Sequence, residues 1–387
     1  MKISKPLFYI FVILFIAFAL AFTSFTNDTM TEEEGGSRYW LMRIIFLLDM
    51  ICVAAMVVSY KRTYRGIHSV CVLWIFVMTF VMVLNHAPIA DTVRTILWPL
   101  LFETTYLCCQ NREKRWRFLK IVYFFIAIIG FLYFIATRSG VDHQTNTIYL
   151  CFLTLPWLMF ATEKKNTIIV MFIFTILTLL SMKRSVMLSM VLIWGFYFLY
   201  GMKIKRNKIV TITLSLFLLG GLYLAYDKID AVTGGVLTDR VTKEETDEGK
   251  GREAIWAVTI SMIQHSSPSE LFRGHGHFGV RRDSFLEISA HNDFLEVIYD
   301  YGMIIFFLYL CLWVHVIRRS YKLYRVQSPI FLPYAASLSI FLVMSMVSHL
   351  ILYTTYFNYL VMFWGMTEAY VELNHPELFT RNRIRKI

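Results

Sequence analysis

Residues 289–318 read SAHNDFLEVIYDYGMIIFFLYLCLWVHVIR. A histidine, an asparagine and three acids (His291, Asn292, Asp293, Glu296, Asp300) fill the first half, and from Gly302 onward the run is almost wholly apolar. A polar head leading into an apolar rod marks a point where a chain enters a bilayer, since a helix of about 18 or more apolar residues crosses a hydrocarbon layer of roughly 30 Å. The rest of the chain repeats the apolar half of this pattern. Its 387 residues are 57% hydrophobic, 17% aromatic and 17% charged, with a mean hydropathy of +0.56. That excludes an ordinary soluble enzyme. The spans show no short period-two alternation of the barrel kind, so the expected fold is an all-α, polytopic membrane helix bundle.

Apolar runs predict about twelve spans, near 6–24, 40–60, 67–84, 90–109, 118–137, 147–162, 166–182, 185–201, 208–226, 302–318, 329–351 and 355–372. The fourth carries Pro88, Pro99 and charge, which suggests a broken or re-entrant element. The first span could instead be a cleaved signal peptide ending near Ala19-Leu20-Ala21, but the uninterrupted apolar run from Leu7 to Phe22 favours a retained helix.

Basic residues cluster on one side of this layout: Lys2 and Lys5, KRTYR, NREKRWRFLK, EKK, KIKRNK, RRSYKLYR and the tail RNRIRKI. Because positive charge marks the cytoplasmic face, both termini are expected to be cytoplasmic in a multi-pass protein of a cytoplasmic (inner) membrane. The organisation is then residues 1–226 as a bundle of nine spans, 227–301 as one large outer, periplasmic loop containing short helices, and 302–387 as three further spans with a basic cytoplasmic tail. A long loop is often where function lies. The net charge of +11 is absorbed by these clusters, so nucleic acid is not an expected partner. All six cysteines (Cys52, Cys71, Cys108, Cys109, Cys151 and Cys311) fall in apolar runs, as small core residues do. No fixed-period repeat or pair of broken helices points to an inverted-repeat transporter. Few ionisable residues stand deep in the spans: Asp49 with Arg43, and Glu103 with Arg94. These suit structural pairs better than a transport pathway.

Four segments could carry chemistry. In SMKRSVML, Lys183 and Arg184 occupy a tight outer connection against the charge bias. Either they hold an anion, the guanidinium forking onto phosphate oxygens, or they snorkel to lipid head groups. In GREAIWAVTISMIQ, residues Ile255, Val258, Thr259, Met262 and Ile263 recur at helical spacing, which predicts an amphipathic helix within the loop or on the bilayer surface. Arg252 in its first turn opposes the helix dipole and calls for a partner, an anionic ligand or else Glu248 or Glu253. In LFRGHGHFGV the glycines fit a tight turn better than a dinucleotide fingerprint, which would need a βαβ unit. His275 and His277 with His291 make a weak metal set lacking a carboxylate ligand at a recognisable spacing.

The fourth segment is the opening run. A helix capped by Ser289 or Asn292 would carry an apolar stripe of Phe294, Leu295 and Ile298 and an acidic stripe of Asp293, Glu296 and Asp300. His291 would sit at its first turn, at the bilayer rim near Arg184. A neutral imidazole there can take a proton from a sugar hydroxyl. The plainer alternative is a histidine hydrogen-bonded to the loop backbone.

The order of these pieces is an outer arginine, a GRxxxW helix in a long outer loop, a GHG turn, and HNDFLEVIYDYG opening the next span. It resembles the O-antigen ligase and polymerase superfamily of bacterial envelope glycosyltransferases, most strongly from about residue 175 to 318. The resemblance implies a bundle of about a dozen helices with a large periplasmic loop, and a glycan donor on a polyprenyl diphosphate carrier in membrane lipid. It further implies that Arg184 and Arg252 bind the diphosphate and that His291 activates the acceptor hydroxyl; Lys183 is read beside them as a further diphosphate contact, and Asn292, Asp293 and Glu296 as support for His291. The enzymes it resembles are metal-independent, inverting glycosyltransferases without a cofactor, with a flippase and a chain-length regulator as companions. The acceptor would be a carrier-linked glycan for an O-antigen or capsule polymerase, or a lipid A-core for a ligase, and the KRS and SAHNDFLEVIYDYG segments look closer to capsular polymerases. One departure is Ser185, where the family's arginine is usually followed by glycine.

Overall fold

The computed structural model describes residues 66–110, 113–137, 147–162, 164–181, 183–204 and 251–378, with a few isolated positions elsewhere. The expected spans 6–24, 40–60 and 208–226, the Asp49 and Arg43 pair, Cys52, Glu248 and the basic tail lie largely or wholly outside the described residues. The described residues are helical, and among them there is no strand. In chain order the helices are α1 (Ile67–Leu84), α2 (Ile89–Cys109), α3 (Glu113–Thr137), α4 (Thr147–Leu153), α5 (Leu155–Ala161), α6 (Lys164–Ser181) and α7 (Arg184–Ile204). After the gap come α8 (Arg252–His265), α9 (Pro268–Arg273), α10 (Gly279–Asp283), α11 (Asp293–Arg325), α12 (Phe331–Val347) and α13 (Thr354–Asn374).

Two of these, α1 and α11, are long and apolar enough to cross a membrane by length and composition, and α6, α7 and α12 are shorter apolar helices. The surface they present points the same way. Leu73, Phe76, Phe80 and Val83 on α1, Phe124, Phe125 and Leu132 on α3, and Met303, Phe307, Val314 and Ile317 on α11 are exposed. Water does not tolerate apolar faces of that extent, whereas hydrocarbon does.

Helix α13 forms the centre, packed along α2, while α12 lies against α7 and α11 against α1 and α12. At Gly365 the α13 backbone comes so close to α2 that a Cβ would run into the Phe102 carbonyl, the close approach that small residues allow between membrane helices. Helix α2 corrects one expectation: it runs unbroken through Pro99. Trp98, Leu101 and Phe102 are buried beside the proline, and their packing holds the helix where one backbone bond is lost. The expected sixth span is the one that breaks. Thr154 separates α4 from α5, its hydroxyl turned back onto the Cys151 carbonyl at 2.6 Å.

The long helix α11 is two helices joined at Gly302, which takes φ 82° and ψ 175°. A break in a helix strands carbonyls that need new donors. Here the GHG turn supplies them: His275 N–H donates to the Tyr299 carbonyl at 3.0 Å and Gly276 N–H to the Asp300 carbonyl at 2.8 Å. Gly274 and Gly302 face each other so tightly that a Cβ on either would strike the other segment's backbone. The glycine ending HNDFLEVIYDYG therefore seats the loop on the bundle. Gly302→Ala is expected to cost on the order of 1–3 kcal/mol from backbone strain alone, with the collision against the Phe272 carbonyl added. A lower thermal midpoint of the detergent-solubilised protein would show this, and an unchanged midpoint would contradict it.

Seventeen residues further on, at a rise of about 1.5 Å per residue, α11 carries a second polar cluster. Arg319 pairs with Glu368 at 2.6 and 2.5 Å, and His315 lies 3.3 Å from the same carboxylate. Nearby His68 bonds Glu103 at 2.8 Å, and Tyr106 bonds Glu372. Glu103 therefore pairs with His68, while Arg94 pairs with Asp91 at 3.2 Å. Each of these charges has a partner, as a low-dielectric interior requires.

Candidate active site

Asn292 caps α11, its side-chain oxygen accepting from Phe294 N–H at 3.0 Å and Leu295 N–H at 3.3 Å. Of the two expected caps it is Asn292, and Ser289 is merely buried. The residue ahead of the cap, His291, is held at φ 52° in the left-handed region, which side chains other than glycine and asparagine seldom adopt. Three bonds impose that conformation from both sides. Glu296, fully buried, accepts the His291 N–H at 3.1 Å, and its carboxyl group also takes the Ala290 N–H. The Ala290 carbonyl accepts the indole N–H of Trp256 from α8 at 2.9 Å. The His291 ring nitrogens make no hydrogen bond with any described residue, so the bonds that fix this residue are made by its backbone and leave the imidazole for other contacts.

The acidic stripe is corrected in one respect: Asp293, Glu296 and Asp300 face inward, while Phe294, Leu295 and Ile298 are only half-buried. Backbone donors explain the inversion. Asp300 accepts from Val280 N–H at 2.9 Å. Asp293 accepts from Leu350 N–H at 2.9 Å and Ile351 N–H at 3.3 Å, and from the Tyr309 hydroxyl at 3.3 Å. A carboxyl group ringed by N–H donors can be buried where an unpaired one cannot. Asp293 thus does not touch His291; it holds the connection between α12 and α13. The Asn292 amide holds the other end of that connection, donating to the Met346 carbonyl at 3.1 Å.

Between these two clamps stands His349, a residue with no signal in the sequence. Its ring stacks on His291 with centroids 4.4 Å apart, and its Nδ1 lies 3.7 Å from Glu296 Oε1. Tyr353 stacks on it at 4.4 Å. Tyr149, equally silent in the sequence, bonds the Ser185 hydroxyl at 2.9 Å and lies near the Ser348 hydroxyl. This places the turn of Lys183 and Arg184 near the segment holding His349.

Three cations belong to this region. Lys183 and Arg184 form the short connection between α6 and α7, Arg184 being exposed as the first residue of α7. Arg252, exposed, is the first residue of α8, with Gly251 as its cap. The inner stripe expected for α8 is observed: Ile255 and Thr259 are buried and Val258, Met262 and Ile263 half-buried, and the helix packs on α11. Burial first, then the charges of His349, Arg252 and Lys183, lower the His291 imidazole to about 4. It is therefore neutral near pH 7. Both arginines stand at helix N-termini, where the backbone dipole is already positive. Such ends attract anions.

The GHG turn forms as expected, with positive φ at Gly274 and Gly276. Its histidines point away from His291. His275 stacks on Tyr299 at 4.0 Å and bonds Ser266 at 3.0 Å, and His277 shares a 2.6 Å hydrogen bond with the Tyr301 hydroxyl. Burial, and then the Arg94 charge, lower His277 to about 3. These two histidines serve the seam between loop and bundle.

Trp256 tests whether α8 holds the backbone ahead of His291. Trp256→Phe keeps most of the ring but strands the Ala290 carbonyl, at a cost of about 1–2 kcal/mol. A lower thermal midpoint of the purified protein is the expected result, and an unchanged midpoint would contradict it.

The described residues form a helical bundle with exposed apolar faces, with His291 ahead of α11 and cations at the starts of α7 and α8. Residues 169–310 match the family model of the O-antigen ligases. The match shows the resemblance to the O-antigen ligase and polymerase superfamily, and it contains Lys183, Arg184, Arg252 and His291. Comparison with curated proteins gives no match. This stretch of the chain thus resembles the O-antigen ligase/polymerase-type membrane enzymes of surface polysaccharide biosynthesis.

Proposed function

We propose that the protein transfers an oligosaccharide from a polyprenyl diphosphate carrier to a sugar hydroxyl at the outer face of the bacterial inner membrane, and that it works as a repeat-unit polymerase. The observation that supports this is a neutral imidazole whose neighbouring charges include Arg252 at the start of α8 and Lys183 just ahead of α7. The acceptor oxygen attacks the anomeric carbon as the carbon–oxygen bond to the diphosphate breaks. The electron pair leaves with the diphosphate, and the hydroxyl proton passes to a ring nitrogen of His291. Arg184, Arg252 and Lys183 stabilise the departing charge through fixed electrostatics in a partly dry site. Glu296 supports His291 through its backbone, and Asn292 and Asp293 hold the neighbouring connection. These residues need no metal ion or cofactor for that step, and the stereochemistry of a single displacement is inversion.

A second function is favoured by the description of the matched family: ligation of the carrier-linked glycan to a lipid A-core. The surface polysaccharide of a deletion strain separates the two on a gel. Single-repeat material on the lipid core indicates a lost polymerase, and free core with carrier-bound polymer indicates a lost ligase.

The pH profile follows from the lowered His291. The base form predominates above the folded value of about 4, so kcat/KM is expected to rise with pH through that value and stay level across pH 6–7. An acid limb centred near 6.5, where an unperturbed histidine titrates, would contradict the buried environment of His291.

A further inference from the structure

We infer that His349 is a positioning residue for the transfer: its ring, stacked between His291 and Tyr353, sets the plane in which His291 meets the acceptor hydroxyl. This rests on the function proposed above, in which His291 takes the proton. Four observations carry it. The ring centroids of His291 and His349 are 4.4 Å apart with 25° between the planes, and the same values hold for His349 and Tyr353. The three rings thus form one pile. The segment bearing His349 is fastened at both ends by the residues that follow His291 in sequence, Asn292 on the Met346 carbonyl and Asp293 on the Leu350 and Ile351 N–H groups. Tyr149, which bonds the hydroxyl of Ser185, the residue after Arg184, lies near Ser348. The His291 backbone is fixed through Glu296, but its ring makes no hydrogen bond with any described residue, which leaves stacking to orient it.

The geometry also limits what His349 does. Stacked imidazoles present faces to one another, not nitrogen to nitrogen, so no proton passes between them. Its Nδ1 stands 3.7 Å from Glu296 Oε1, beyond hydrogen-bond reach. The ring is therefore the working part, and its nitrogens are dispensable.

The test uses the full-length protein in lipid nanodiscs, with the carrier-lipid fraction extracted from a strain lacking the protein as donor and acceptor. His349→Ala is expected to lower the maximal rate ~10–100-fold, the scale of a misoriented reacting group, with the apparent KM for the extract unchanged. His349→Phe restores the pile without the nitrogens and is expected to recover the rate to within about threefold. Three results would overturn the inference: a His349→Ala protein at the parental rate, a His349→Phe protein as slow as His349→Ala, or a rate loss that merely follows a lower melting temperature. An inactive His291→Ala beside a normal His349→Ala defeats this inference alone, whereas a His291→Ala protein that still transfers glycan defeats the proposed function as well.

Discussion

Alanine at position 291 is expected to reduce glycan transfer by ~10²–10⁴-fold, the usual contribution of a positioned general base, while the protein stays folded in the membrane. The structure separates these two effects. His291 contributes to the fold through its backbone, whose N–H bonds Glu296 at 3.1 Å, and alanine keeps that bond. The left-handed conformation at φ 52° strains alanine about as much as histidine, so little stability is lost on that account. His291→Asn is a useful companion because asparagine tolerates this conformation better. It should be at least as stable as the parent and equally inactive. Near-normal polymer from His291→Ala would remove the assignment of the base.

Arg184→Ala and Arg252→Ala are each expected to lose ~2.7–4 kcal/mol of transition-state stabilisation, a factor of ~10²–10³ in rate. Each arginine is the first residue of its helix, where a positive side chain opposes the dipole. Removing Arg252 should leave its helix as stable or slightly more so. Lost activity beside an undiminished melting temperature would therefore point to a bound anion, because a cation present only for structure would give the reverse. Lysine at either position should restore only part of the rate, since an ammonium cannot make the forked contact that guanidinium makes with phosphate oxygens. Unimpaired transfer by Arg252→Ala would show that the first turn of α8 takes no part.

The helical spans were legible because hydrophobic length is a local property. Residues 67–84 and 355–372 coincide with α1 and α13 to within two residues. Pro99 misled because local sequence shows the bond a proline removes and not the packing of Trp98 and Phe102 that holds the helix together. His291, Arg252 and Lys183 stand out in the sequence because each breaks a local pattern, a titratable or cationic group at an apolar boundary. The inward acids were misassigned because their donors come from distant segments: Val280 for Asp300, and Leu350 and Ile351 for Asp293. His349 lies 58 positions beyond His291, and no spacing rule joins two loops that meet only in the folded bundle. Gly302 falls between these cases. Its place at the end of the HNDFLEVIYDYG segment was visible, but its role as the kink that receives the GHG turn was not.

The central claim is that one site holds the carrier diphosphate with cations and takes the acceptor proton with His291. Quantifying carrier-linked donor that co-purifies with each variant, beside its transfer rate, tests this most directly. The expected result is that His291→Ala retains the donor at the parental level and does not transfer it, while a protein with both Arg184→Ala and Arg252→Ala retains little donor. Parental donor retention by the double arginine variant, or transfer by His291→Ala at the parental rate, would contradict the account.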